Sequence, residues 1–369
     1  ETPSIEKSIG KLGNADTTAT IGEELTFFIT PDVPYDIATA KTFTVTDELD
    51  NRLTYTDGQD LTVRPADENG KALSGKSLRE GTDYTVETPA DDNHNTLTID
   101  FTTDGREALA DAKADTVLIS FTASLNPAAI DTIGQKVPNQ AHLEYTNSAN
   151  EDFDVDSNEV EVHTGAIAIT KTGTDGTVLP GATFQVYSSL TDAQSKTNPV
   201  TFFDAQGNPQ TTVTTSQNGT ATMYGLPYGP QITEDSDGKG YSATSTAAAN
   251  ATTYYLVETQ APAGYTLLTD PIAVTVSGST PTATVTVENG TTPNGTTPEG
   301  TTPEGTTPNG TTPNGTNGSG TTTDLTGKTS PQTGDNTAPL IALAVVGAAA
   351  CVGGALYFKR REIKAKFTK

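Results

Sequence analysis

Tryptophan is absent from this 369-residue sequence, and cysteine and methionine occur once each. With Cys351 alone, neither an intramolecular disulfide nor a cysteine-based metal cluster can form. Histidine is nearly as scarce, with only His94, His142 and His163, and there is no GxSxG, HExxH or paired-Cys motif. A turnover enzyme is therefore without support, and no cofactor or metal site is expected. Basic residues are also few: 21 Lys plus Arg stand against 46 Asp plus Glu, a formal charge of −25. That balance excludes nucleic acid as a partner, since a phosphate backbone needs a basic footprint, and it reads as a solvated acidic surface. Only 33% of residues are apolar and 6% aromatic, with 34 Gly and 22 Pro, too lean for one large core. Two modest β-rich domains plus unfolded sequence fit better.

The sequence starts at Glu1 without a basic-then-apolar leader, so a signal peptide is expected to lie outside it. Near the other end, the 21 residues from Ala338 to Phe358 carry no charge, enough for a helix to cross a bilayer core of about 30 Å. The tail KRREIKAKFTK comes directly after and belongs in the cytoplasm by the positive-inside rule, which places everything N-terminal outside the cell. Residues 291–329 open with five tandem TTPxG pentapeptides and continue as a Gly/Ser/Thr tract. This composition predicts a disordered linker whose reach lies between about 35 Å as a coil and about 120 Å as polyproline II. The NGT and NGS triplets match N-glycosylation acceptors but arise trivially from the repeat.

Residues 1–290 are rich in Thr and Val with period-two alternation. Candidate strands are LTFFIT, KTFTVTD, TLTIDF, TVLISFTA, QAHLEYT, AIAITK, ATFQVY, YYLVE, IAVTV and TATVTVEN. Only Asp104 to Ala114 suggests a helix. EDFDVDSNEVEVHTG reads as a last strand followed by a hinge, which sets domains at 1–163 and 164–290. The EDSDG run around Asp235 and Asp237 has a partial calcium-loop look but lacks the full spacing, and reads as an exposed acidic turn.

Alternation also places polar residues on apolar faces. Lys171 falls in phase with Ile167 and Ile169, Glu258 with Tyr254 and Leu256, and Asn289 with Val285 and Val287. Buried, such a lysine is driven toward its neutral amine and such an acid toward its protonated form. An amine, an acid and an amide held dry suggest attack of the Lys171 amine on the Asn289 side-chain carbonyl. Protonated Glu258 would bond the amide oxygen and relay protons as ammonia leaves. A fixed amine and amide reach effective molarities of about 10⁵ M or more. The competing reading makes Lys171 an exposed strand residue, Glu258 a turn cap and Asn289 a turn former.

AIAITKTGTDGTVLPGATFQVY, YYLVETQAPAGY and VTVENG together resemble the Cna-B-type domain of Gram-positive pilins and surface adhesins, over about residues 165–290. The resemblance implies an immunoglobulin-like β-sandwich with a Lys–Asn isopeptide bond joining Lys171 to Asn289, and Glu258 as the catalytic acid of its E-box. PSIEKSIG, ATIGEELTFFITPDVP, FTVTDEL and VPNQAHLEYTN resemble the fimbrial isopeptide-forming domain of major pilin subunits. By that analogy Lys7 supplies the amine, Asp47 the acid and Asn139 the amide, with Lys11 and Asn147 as alternates for the reactive pair. Alternation agrees, because Lys7 follows Ile5, Asp47 follows Phe43 and Val45, and Asn139 is in phase with Ala141, Leu143 and Tyr145, whereas Glu48 points outward. Finally, SPQTG (Ser330, Pro331, Gln332, Thr333, Gly334), the apolar span and the basic tail resemble the sortase sorting signal, with Ser330 in place of the usual Leu of LPxTG.

The expected protein is thus all-β: two tandem sandwiches, a disordered Thr/Pro/Gly linker over 291–329 and a sorting segment with a transmembrane helix over 330–369. The resemblances imply a wall-anchored structural pilin subunit. A sortase would cut between Thr333 and Gly334 and join Thr333 to a peptidoglycan precursor or a neighbouring pilin. The membrane is a partner only before that cut. The alternative is a monomeric wall-anchored adhesin for a host matrix or cell-surface ligand, and no YPK-like polymerisation motif is present to separate the two.

Overall fold

The computed structural model describes residues 2–56, 60–89, 95–229 and 251–292. The TTPxG repeats from 293 onward, SPQTG, the 338–358 span, the basic tail, His94 and the Asp235–Asp237 run all lie outside the described residues. Among the described residues, no helix is long and apolar enough to cross a membrane.

Strands between residues 5 and 163 form three sheets. The first orders Ile5–Ile9, Glu24–Pro31, Thr116–Leu125 and Leu53–Tyr55, with Thr62–Ala66 also paired to Thr116–Leu125. The second orders Asp152–Asp156, Ala141–Thr146, Thr42–Glu48, Thr96–Phe101 and Tyr84–Glu87. A small third sheet orders Val137–Asn139, Val160–His163 and Asp16–Thr18. Period-two alternation explains why they stack. Phe27, Ile29, Ile119 and Phe121 of the first sheet and Phe43, Val45, Ile99 and Phe101 of the second are all buried in one core. The intervening positions face outward and are filled by Phe28 and Ser120 in the first sheet and by Thr44 and Asp100 in the second.

Strands between residues 165 and 289 form two more sheets. One orders Pro209–Gln210, Phe202–Phe203, Thr220–Leu226, Gly165–Gly173 and Thr282–Asn289; the other orders Val213–Thr214, Thr183–Tyr187, Ala251–Gln260 and Ile272–Ser277. Ile167, Ile169, Met223 and Val287 of one meet Phe184, Val186, Leu256 and Val276 of the other in a second core. Gly165–Gly173 and Thr282–Asn289, the first and last strands of this set, pair in parallel with Lys171 opposite Val287 and Gly173 opposite Asn289. Each candidate strand read from alternation is a strand here, so the all-β class is borne out.

Three expectations need correction. A second helix, Leu190–Ser195, joins the expected one, which spans Thr103–Ala112. It is too short to show a periodicity and rests on its cap, with the Ser189 hydroxyl accepting from the Asp192 N–H at 3.1 Å. EDFDVDSNEVEVHTG is two strands in different sheets, Asp152–Asp156 and Val160–His163: Ser157 still bonds Ala141 in the sheet of Asp152–Asp156, and Asn158 then turns to the Lys7 backbone. No exposed hinge comes after them: buried Thr164 alone separates His163 from Gly165. The Thr18 hydroxyl donates to the Tyr228 carbonyl at 2.7 Å, and Phe203 and Tyr224 pack against the N-terminal core.

Candidate functional site

Lys171, Glu258 and Asn289 come from three strands in two facing sheets and are each no more than 2% exposed. Lys171 and Asn289 lie diagonally across the parallel pair, within reach of a long side chain. The Lys171 amine donates to the carbonyls of Val287 at 3.0 Å and Thr172 at 3.2 Å. Burial lowers its pKa, against the opposing pull of the Glu258 and Glu288 carboxylates. In a neutral amine those two bonds use both N–H groups and leave the lone pair free. Nothing but the lone pair is then available for chemistry.

The Asn289 amide nitrogen donates to Glu258 Oε2 at 2.8 Å and to the Thr266 carbonyl at 2.5 Å. The Leu268 N–H donates to the same Glu258 oxygen at 2.9 Å. Here the expectation drawn from the sequence is corrected. Glu258 meets the nitrogen of the amide and not its oxygen, because the Thr266 carbonyl can only accept and so requires the NH₂ group on its side. Glu258 Oε1 and Asn289 Oδ1 are buried with no hydrogen-bond partner among the described residues. Neither Thr266 nor Leu268 was legible as a site residue, since each acts on the cluster through its backbone.

Lys7, Asp47 and Asn139 are likewise buried, and each belongs to a different sheet of the N-terminal set. The Lys7 amine bonds Asp47 directly and lies 5.2 and 5.5 Å from the ring centroids of Phe121 and Phe27. Burial pushes its pKa well below the ordinary lysine value. Asp47 pairs across the sheet with Ala141, two residues after Asn139. Both ends of the Asn139 amide, and Asp47 Oδ1, are buried without a hydrogen-bond partner among the described residues, a costly state for an ordinary asparagine. Asn158, not singled out from the sequence, fixes the Lys7 backbone by accepting from its N–H and donating to its carbonyl, both at 2.9 Å. The alternates do not gather here. Lys11 is half-buried in a turn, and Asn147 uses its amide within its own turn, bonding Glu151 and the N–H of Ala149. Glu48 is exposed, as alternation requires.

Elsewhere His142, Glu144 and Asp154 hold possible ligand atoms within 4.8 Å of one another, on side chains that are exposed or half-buried.

Comparisons with known proteins agree with this architecture. A family described as the SpaA prealbumin-like fold domain matches residues 165–249 and 231–291. Fimbrial subunit type 2 of Actinomyces naeslundii is 27% identical over 291 residues, covering 73% of this chain and 50% of that protein. Fimbrial subunit type 1 of Actinomyces viscosus is 28% identical over 284 residues, covering 68% and 50%. The chain spans about half the length of the curated relatives it matches. Among solved structures, the 35 kDa C-terminal fragment of the major pilin of Streptococcus agalactiae aligns with a TM-score of 0.61 at 23% identity, over 78% of this chain and all of the fragment. The full-length major pilin SpaD of Corynebacterium diphtheriae aligns at 0.53 with 23% identity, over 78% of this chain and 65% of that one. In sequence the chain is similar to fimbrial subunits of Actinomyces, and in three dimensions it has the fold of major pilins.

Proposed function

We propose that this chain is a structural fimbrial subunit, divided at about residue 164 into two domains that each close on a self-made Lys–Asn isopeptide bond. The observation that carries this reading is the buried amide of Asn289, bonded through nitrogen to Glu258 in the dry pocket that also holds a deprotonation-prone Lys171. The Lys171 amine attacks the Asn289 side-chain carbon, forming an N–C bond. The old C–N bond breaks, and the lost amine proton leaves with the amide nitrogen as ammonia. Glu258, on the nitrogen side, is placed to hand that proton across. Asp47 serves Lys7 and Asn139 in the same way. Each bond is made once, so nothing here turns over.

The SPQTG segment, the apolar span and the basic tail complete the reading. A sortase cuts between Thr333 and Gly334 and links Thr333 to the cell wall or to a neighbouring subunit, leaving the folded part outside the cell. The fimbrial relatives support assembly with further subunits.

Intact mass of the recombinant ectodomain tests the chemistry. The wild type should fall short of its sequence mass by two ammonia molecules, Glu258→Ala by one and Asp47→Ala by one. A wild-type mass equal to the sequence mass would overturn the proposal. On cells, an SDS-resistant ladder of high-mass species tests polymerisation, and a single anchored species would point to a lone adhesin.

A further inference from the structure

We propose that Tyr265 is a positioning residue, its ring seated in the space left by Gly173 so as to seal the Lys171–Glu258–Asn289 cluster from water. This rests on the isopeptide reading above and adds a residue to it. Two independent placements put the ring there. Gly173 pairs directly with Asn289, so the two face the same side of the sheet. A Cβ on Gly173 would lie 3.1 Å from Tyr265 Cε1, 3.4 Å from its hydroxyl and 2.6 Å from Asp175 Oδ1. The Asp175 carboxylate and the edge of the Tyr265 ring therefore share the space that a residue-173 side chain would take. From the other direction, the Tyr265 backbone bridges Thr291, two residues beyond Asn289, which brings residue 265 to the end of that strand.

The backbone beneath the ring is tied down. The Thr266 N–H donates to the Gly290 carbonyl, and the Thr292 N–H and hydroxyl both donate to the Gly264 carbonyl, each at 2.9 Å. This resolves an oddity of position. Asn289 ends a strand at the edge of its sheet, with exposed Gly290 next, yet it is 0% exposed. Tyr265 itself is half-buried, one side in and one side out. Its service to the reaction is dielectric. The groups acting on the Lys171 amine are the carboxylates of Glu258 and Glu288, which favour its charged form, and burial, which opposes them. Asp175 stands at the rim beside Gly173. Water admitted at that rim would weaken burial and leave the carboxylates to protonate the nucleophile.

The test tracks bond formation in full chain made by cell-free translation, quenched at intervals in buffers from about pH 6 to pH 9 and read by ammonia loss. Tyr265→Phe keeps the ring and should match the wild type. Tyr265→Ala should form the second bond about tenfold more slowly at neutral pH for each pH unit by which the rate profile moves up, and should recover in alkali. The bond near Lys7 should form normally in all of them and serves as the folding control. If Tyr265→Ala keeps the wild-type rate at every pH, or loses the bond at every pH with no displaced profile, the inference is wrong while the isopeptide reading stands. If the wild type itself loses no ammonia in residues 165–290, the reading beneath it is wrong.

Discussion

Replacing Glu258 with alanine should change how far the protein stretches. Asn289 lies 118 positions after Lys171 in the sequence but next to it in the fold, where Lys171 pairs with Val287. With the bond made, tension enters at Lys171 and leaves at Asn289 without loading the strands between. Without it, those residues can unravel, and at about 3.5 Å per residue the contour grows by about 410 Å. Single-molecule pulling on the ectodomain between handles reads this directly. The wild type should show no step of that size and release at most the chain between Asn139 and Lys171, about 110 Å. Closing a loop of this length also removes unfolded-state entropy worth about 5 kcal/mol by the cross-link relation. For the roughly 125-residue C-terminal sheets that corresponds to a calorimetric Tm lower by about 15 to 20 °C in Glu258→Ala. A wild-type trace with the 410 Å step, or a Glu258→Ala trace without it, would refute the covalent clamp.

Two further predictions concern pH. Burial pushes the Asp36 carboxyl up, but donation from the Tyr145 hydroxyl and from the Ser148 N–H and hydroxyl outweighs it and holds the pKa below the usual aspartate range. A depressed folded pKa gives stability that is present above the unfolded value of about 3.9 and lost as pH falls through the folded one. Tyr145→Phe should therefore cost on the order of 1 kcal/mol near neutrality and less in acid; urea melts showing an equal cost at both pH values would exclude this. Glu23 has the opposite sign. Burial raises its pKa despite the bond from the Thr20 N–H, so its contribution is lost as pH rises through that value. Glu23→Gln, which can still accept from Thr20, should melt at higher urea than the wild type at about pH 8 and show a smaller gain at about pH 4; no gain at the higher pH would be contrary.

The extension on pulling depends on which residues neighbour one another, and that was only partly visible in the chain. Period-two alternation put Lys171, Glu258, Asn289, Lys7 and Asp47 on inward faces because side-chain direction in a strand is a local property. Short strands such as Phe202–Phe203 and Val213–Thr214 hold too few residues to alternate, and Thr220–Leu226 carries Tyr224 outward and Gly225 inward, so the pattern passed over them.

By itself, then, the sequence determined the β class, the lean cores and the inward direction of the residues proposed to react, all of which come from composition and from a repeat of two along one strand. Tertiary structure alone decided which strands lie side by side and from which side Glu258 meets the Asn289 amide. The parallel pairing of Gly165–Gly173 with Thr282–Asn289 joins residues more than a hundred positions apart, and no local pattern encodes such a register. The Thr266 carbonyl that turns the Asn289 nitrogen toward Glu258, and the gap at Gly173 that admits Tyr265, are made by backbone and by empty space. Neither leaves a mark in the order of side chains until the chain has folded around it.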